Sequence, residues 1–202
     1  MKDIFLNLAT PYCNEAKALH LWDEIALAYN HKNRHYHNLD HLQNMFNALL
    51  PVKEQIADWD TMLFALFYHD AVYSATKKDN ELKSSKMAIN NLRSLGYDAY
   101  KTSFCLELIM ATQHHSASGI KDINLFTDAD LSILGQPWEV YETYCKNVRK
   151  EYSIYPDILY NPGRKKALGH FLEMDTIFKT EHFKEHYEDV ARLNISKEIK
   201  FL

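Results

Sequence analysis

Apolar positions recur at helical spacing along most of the chain. Ala16, Leu19, Trp22, Ile25 and Leu27 form one stripe, which predicts a helix over 13–30. The polar run from Asn30 to Asn38 separates it from a second predicted helix, about 39–50, which Pro51 ends. Met62 to Tyr68 is apolar on every side, the pattern of a helix buried in the middle of a bundle. Asp60 is expected to cap its start, and its far end carries His69 and Asp70. An amphipathic segment over 79–95 is stopped by Gly96, and a further helix over 98–114 closes on His114 and His115. Gly119 breaks the chain before a short helix starting near Thr127, and Pro137 suits the first turn of a helix over 137–151. A loop is predicted over Tyr155–Gly163, followed by two helices over 164–179 and 183–201. No segment reads as a strand. The expected fold is all-α, a single helical bundle of about eight to ten helices.

Composition narrows this reading. Five glycines and five prolines in 202 residues leave little material for the many turns of a β-rich fold. A 47% hydrophobic chain of this length fills one core, so residues 1–202 are expected to form one domain. A net charge of -4 and a pI near 6.2 give no general attraction for nucleic acid or for an anionic membrane. Cys13, Cys105 and Cys145 lie far apart with no C-x-x-C pair, which speaks against a disulfide framework and a thiolate zinc site. The run from Met1 to Leu6 lacks the apolar stretch of a signal peptide, and Met62–Tyr68 falls far short of the ~20 residues of a membrane span. A cytoplasmic protein is expected. Thirteen tyrosines and ten phenylalanines leave room for a homodimer interface.

Eleven histidines are many for this length, and they cluster. His37 and His41 are four apart and would share one helix face, either as two groups of one site or as surface and capping residues. His69 and Asp70 close a helix placed in the core, where a carboxylate or imidazole must be paired, hydrogen-bonded or metal-bound. Asp128 and Asp130, taken alone, read better as the acidic first turn of a helix capped by Thr127 than as ligands. In order, these groups run H, then H-D, then D. Imidazole and carboxylate ligands without thiolate suit Mn²⁺, Mg²⁺, Fe or Zn²⁺ and leave open positions for water and substrate.

With its ligand set of His41, His69-Asp70 and the Asp130 of "DADLSILG", the sequence resembles the HD superfamily of metal-dependent phosphohydrolases. "RHYHNLDH" is similar to the Y-H-N-x-x-H motif of cyclic-nucleotide phosphodiesterases, which are themselves HD-type enzymes. Seven segments in order look like a bacterial family of predicted HD phosphohydrolases: "RHYHNLDHL", "FYHDAVYS", "NELKSS", "ATQHH", "DADLSILG", "NPGRKKAL" and "VARLNISKEI". They span about residues 10–200.

The resemblance implies an all-α HD-type bundle with one or two divalent ions. It makes His41, His69, Asp70 and Asp130 the metal ligands, with Asp128 as the alternative to Asp130. It makes His37 the proton donor to the leaving oxygen, and gives Glu81 of "NELKSS" the orienting of the attacking water or of a ligand histidine. His115, or else His114, falls where HD proteins place a histidine for a second metal or the phosphate. Arg34 and Arg164 carry two readings each, a phosphate contact or an ordinary surface cation. Glu81 also reads as an exposed charge, and His114 and His115 as residues closing a helix. The base-gripping glutamine of the phosphodiesterases has no counterpart here. The expected activity is hydrolysis of a small phosphorylated substrate, such as a nucleotide. The alternatives are an HD-fold di-iron oxygenase and a catalytically silent nucleotide-binding module.

Overall fold

The computed structural model describes all 202 residues and is all-α, with ten α-helices, two short 3-10 turns and no strand. The helices are α1 (Lys2–Ala9), α2 (Glu15–Tyr29), α3 (Leu39–Leu49), α4 (Trp59–Tyr68) and α5 (Asn80–Ser94). Then follow α6 (Ala99–Ala111), α7 (Lys121–Leu131), α8 (Trp138–Glu151), α9 (Asp157–Glu173) and α10 (Glu181–Phe201). The 3-10 turns cover Leu50–Gln55 and Ser132–Gly135.

As its all-round apolar pattern requires, α4 is the central helix, with every residue from Thr61 to Tyr68 buried. It packs against α1, α3, α5, α6 and α7. Aromatic edges lock this core: Phe67 meets Phe5 and Trp22, while Tyr97 meets Tyr12 and Phe64. Gly96 ends α5 as its position in the sequence predicts. With φ of +69°, it lets the Tyr97 amide donate to the Leu92 carbonyl and closes the last turn. Around this core lie α8, α9 and α10. Helices α8 and α10 both rest on the Ser132–Gly135 turn, and α9 packs on α10. At Gly135 a Cβ would stand 2.6 Å from Tyr187, so only glycine permits α10 to lie so close.

Four local expectations are corrected. A first helix, α1, precedes the predicted ones. The cap of α4 is Asp58 rather than Asp60: its carboxylate accepts the Thr61 amide at 3.2 Å. Helix α7 begins at Lys121, not near Thr127; Thr127 is interior, its hydroxyl donating to the Ile123 carbonyl one turn back. Residues 157–163, predicted as loop, form the first turns of α9 with Pro162 inside the helix. Pro162 removes one donor, and α9 runs on through it at its exposed start, where Ile158 is 80% exposed. Gly163 and Arg164 therefore lie within a helix and do not open one.

Candidate metal centre

Three helix ends bring the predicted ligands together. His41 is in the first turn of α3, which Asn38 caps through its side-chain oxygen, accepting from the Asp40 and His41 amides. His69 is the residue at which buried α4 stops, with Asp70 next to it, and Asp130 lies in the last turn of α7. The two imidazoles face each other with Nε2 atoms 3.1 Å apart. Asp130 Oδ1 is 3.2 Å from His41 Nε2 and 3.8 Å from His69 Nε2. Asp70 Oδ2 is 3.3 Å from His69 Nε2 and 3.9 Å from His41 Nε2.

His69 Nδ1–H donates to the Leu66 carbonyl at 2.9 Å, which turns the lone pair of Nε2 inward. Two inward imidazole nitrogens and two carboxylates repel one another unless a proton or a cation lies between them. In the free chain, protons take that role. Burial opposes the charged form of His69, yet Asp70 and Asp130 raise its pKa to about 9. Burial also works against the Asp70 and Asp130 carboxylates, and their histidines outweigh it and hold both well below the usual range. The donor set fits a divalent ion too. With metal–ligand bonds of about 2.1 Å, neighbouring ligand atoms stand about 3.0–3.4 Å apart, close to the shortest separations here. His41, His69 and Asp130 form a group that can hold a metal ion, their ligand atoms all lying within 4.8 Å of one another.

No family model, curated protein or solved structure matches this chain. The reading of the site rests on its own geometry.

The remaining candidates divide clearly. Of the adjacent histidines, His115 reaches the cluster and its Nε2 lies 2.8 Å from Asp130 Oδ2. His115 is also the one non-glycine residue with positive φ, at 50°, a strained backbone that aims the ring inward. His114 is exposed and has no partner in the cluster. Asp128 points away, fully buried, and accepts from the Lys179 and Thr180 amides and the Thr180 hydroxyl, with Lys179 Nζ at 3.3 Å. It ties the start of α10 to α7 and is separate from the metal group. Arg34 donates to the carbonyls of His37, Asp70 and Ala71, so its guanidinium staples the chain around the His69–Asp70 corner and is not free for phosphate. Arg164 is held by Glu198 at 2.8 Å and 3.1 Å and by the Tyr144 hydroxyl. Glu81, in the first turn of α5, makes no hydrogen bond or ion pair with the cluster.

His37 stands beside the cluster, its ring centre 5.9 Å from that of His41 and stacked on Tyr73. Its Nδ1 is 2.6 Å from Glu151 Oε2, while Glu151 Oε1 accepts the amides of His35, Tyr36 and His37. Burial opposes both charges, and the contact between them prevails: the His37 pKa is raised and Glu151 is held down at about 2. Glu151 has no counterpart among the sequence candidates. Its position, the last residue of the predicted 137–151 helix, gives no sign of a partner 114 residues away. The only other ring nitrogen of His37 is Nε2, and His37 lines a cavity of about 440 Å³ between α8 and α9.

Proposed function

We propose that the chain is a metal-dependent phosphohydrolase acting on a small phosphate ester. One observation carries this reading: two imidazoles and two carboxylates converge next to an independently held His–Glu pair, and that pair borders an open cavity. A purely structural metal site has no need of the second element. A bound divalent ion supplies positive charge for phosphoryl oxygens and renders water nucleophilic near neutral pH.

The chain's own residues account for the rest. His41, His69, Asp70 and Asp130 would hold the ion; the Leu66 carbonyl orients the His69 ring, and Asn38 caps the helix turn that carries His41. Glu151 keeps His37 protonated at Nδ1 and its ring in one orientation. His37 then gives its Nε2 proton to the leaving oxygen, as a general acid with a carboxylate behind it does. Burial of the His41 and His69 side chains excludes bulk water from the ligands and strengthens each electrostatic contact.

The test is metal analysis of gently purified protein, followed by phosphate release from a nucleotide and phosphomonoester panel with Mn²⁺, Mg²⁺, Fe²⁺ or Zn²⁺. Turnover that disappears on chelation and in both His69→Ala and Asp70→Ala is the expected result. Hydrolysis by metal-free protein refutes it. Two tightly held irons with O₂ consumption and no phosphate release identify an oxygenase instead, for which His115 on Asp130 supplies an additional ligand. Tight nucleotide binding without turnover identifies a binding module.

A further inference from the structure

The cavity beside His37 has an unusual electrical character. It is walled by Tyr144, Tyr152, Tyr155 and Tyr160, with Val148 and Leu159 between them. Its two ionisable nitrogen groups are each matched by a buried carboxylate. Arg164 is paired with Glu198, whose side chain is 7% exposed, and His37 with Glu151, whose side chain is 1% exposed. No Asp, Glu, Lys, Asn or Gln side chain lines it. The cavity therefore offers no unmatched charge and no amide groups; its walls are tyrosine rings with their hydroxyls, aliphatic carbon and the two paired cations. Tyr152 makes tilted contacts with Tyr155 and Tyr160, ring centres 6.3 Å and 5.9 Å apart, so three of the four tyrosines form one aromatic cluster.

From this we infer that the cavity binds the alcohol portion of the substrate, and that this portion is an uncharged planar aromatic group. The inference rests on the phosphohydrolase reading and narrows it. An ester whose ring lies among the tyrosines would set its bridging oxygen at His37, whose ring centre is 5.9 Å from that of His41. A sugar or polyol would find only tyrosine hydroxyls there, with no carboxylate or amide to pair its many hydroxyls. A charged base would be desolvated against two already neutralised pairs. A neutral ring loses little and gains stacking on each tyrosine it meets.

The experiment has two independent parts. In metal-free protein, 1-naphthol and octanol are titrated by calorimetry and tyrosine fluorescence. The ring alcohol is expected to bind, more tightly than the alkyl one, and Ala167→Trp, which fills the cavity, weakens it by about tenfold or more. Tyr155→Ala, which removes one wall, weakens it as well, and circular dichroism shows that both variants are folded. With Mn²⁺ added, 1-naphthyl phosphate is expected to exceed glucose 6-phosphate in kcat/KM by about tenfold or more. No naphthol binding by folded wild type, or tighter binding of octanol, overturns the inference even if both esters are hydrolysed without preference. Naphthol binding that the variants abolish, with neither ester hydrolysed under any metal, upholds the aromatic cavity and refutes the phosphohydrolase reading.

Discussion

Replacing Glu151 by Gln isolates the charge that holds His37. The side chains have nearly the same size, and the retained oxygen can still accept the amides of His35, Tyr36 and His37. What is lost is the carboxylate at 2.6 Å from His37 Nδ1. One pKa unit corresponds to about 1.4 kcal/mol, so a carboxyl held at about 2 against its ordinary 4.5 contributes about 3 kcal/mol at neutral pH. The side chain is 1% exposed, and solvent screening takes little from this. Glu151→Gln is therefore expected to lose about 2–3 kcal/mol, which lowers Tm by about 5–10 °C for a chain of this size. The sign with pH is fixed by the direction of the shift. A depressed carboxyl stabilises the fold above its unfolded pKa, and that contribution fades as pH falls from about 5 towards 2. Urea unfolding followed by circular dichroism from pH 7 to pH 3 measures wild type and variant side by side. Their difference should be full at pH 7 and less than half of that at pH 3. A variant as stable as wild type at pH 7, or a difference that stays constant down to pH 3, refutes the reasoning.

Other perturbations follow from single contacts. Asp128→Ala strands the buried Lys179 ammonium and two amides, and should cost about 3–5 kcal/mol in urea unfolding while metal content is unchanged. Lost metal in that variant, with the fold intact, would place Asp128 at the metal centre after all. Gly135→Ala drives a methyl group into Tyr187 backbone and Cβ, and a loss of about 1–3 kcal/mol is expected in thermal melts. His41→Ala removes one of the proposed ligands; since outer-shell partners alone are worth about 10–100-fold, metal affinity measured by chelator competition should fall by more than about 100-fold. Unchanged affinity would show that the ion is held elsewhere.

The sequence made the helical elements legible where the pattern was strong and local. The all-apolar run of α4 and the Gly96 stop could each be read from the residues alone, whereas the grouping of His41, His69, Asp70 and Asp130 came only from the resemblance to the HD superfamily. Capping was legible in type but not in place: Asp58 and Asp60 both suit an N-cap, and only the turn geometry chooses Asp58. Thr127 and the acidic pair Asp128 and Asp130 look like a helix start because carboxylates favour that position. In fact they are in α7's second half, where one serves α10 and the other faces His115. Pro162 marked a loop by propensity, yet α9 runs through it from Asp157. Glu151 and the pairing of Arg164 with Glu198 were not legible at all, since both are long-range contacts between residues that are ordinary in their own helices.

The two parts of the centre are supplied by different regions of the chain. Residues from α3, α4 and α7 furnish the proposed ligands, whereas the carboxylate that steadies His37 arrives from the end of α8. If the chain is the proposed phosphohydrolase, substitutions that alter how α8 seats against the His35–His37 turn would tune proton delivery while leaving ion retention untouched. The reverse would hold for changes beneath His69. Reactivity and metal retention would in this sense be separately adjustable, and sequence drift in the last third of the chain could act on the one without the other.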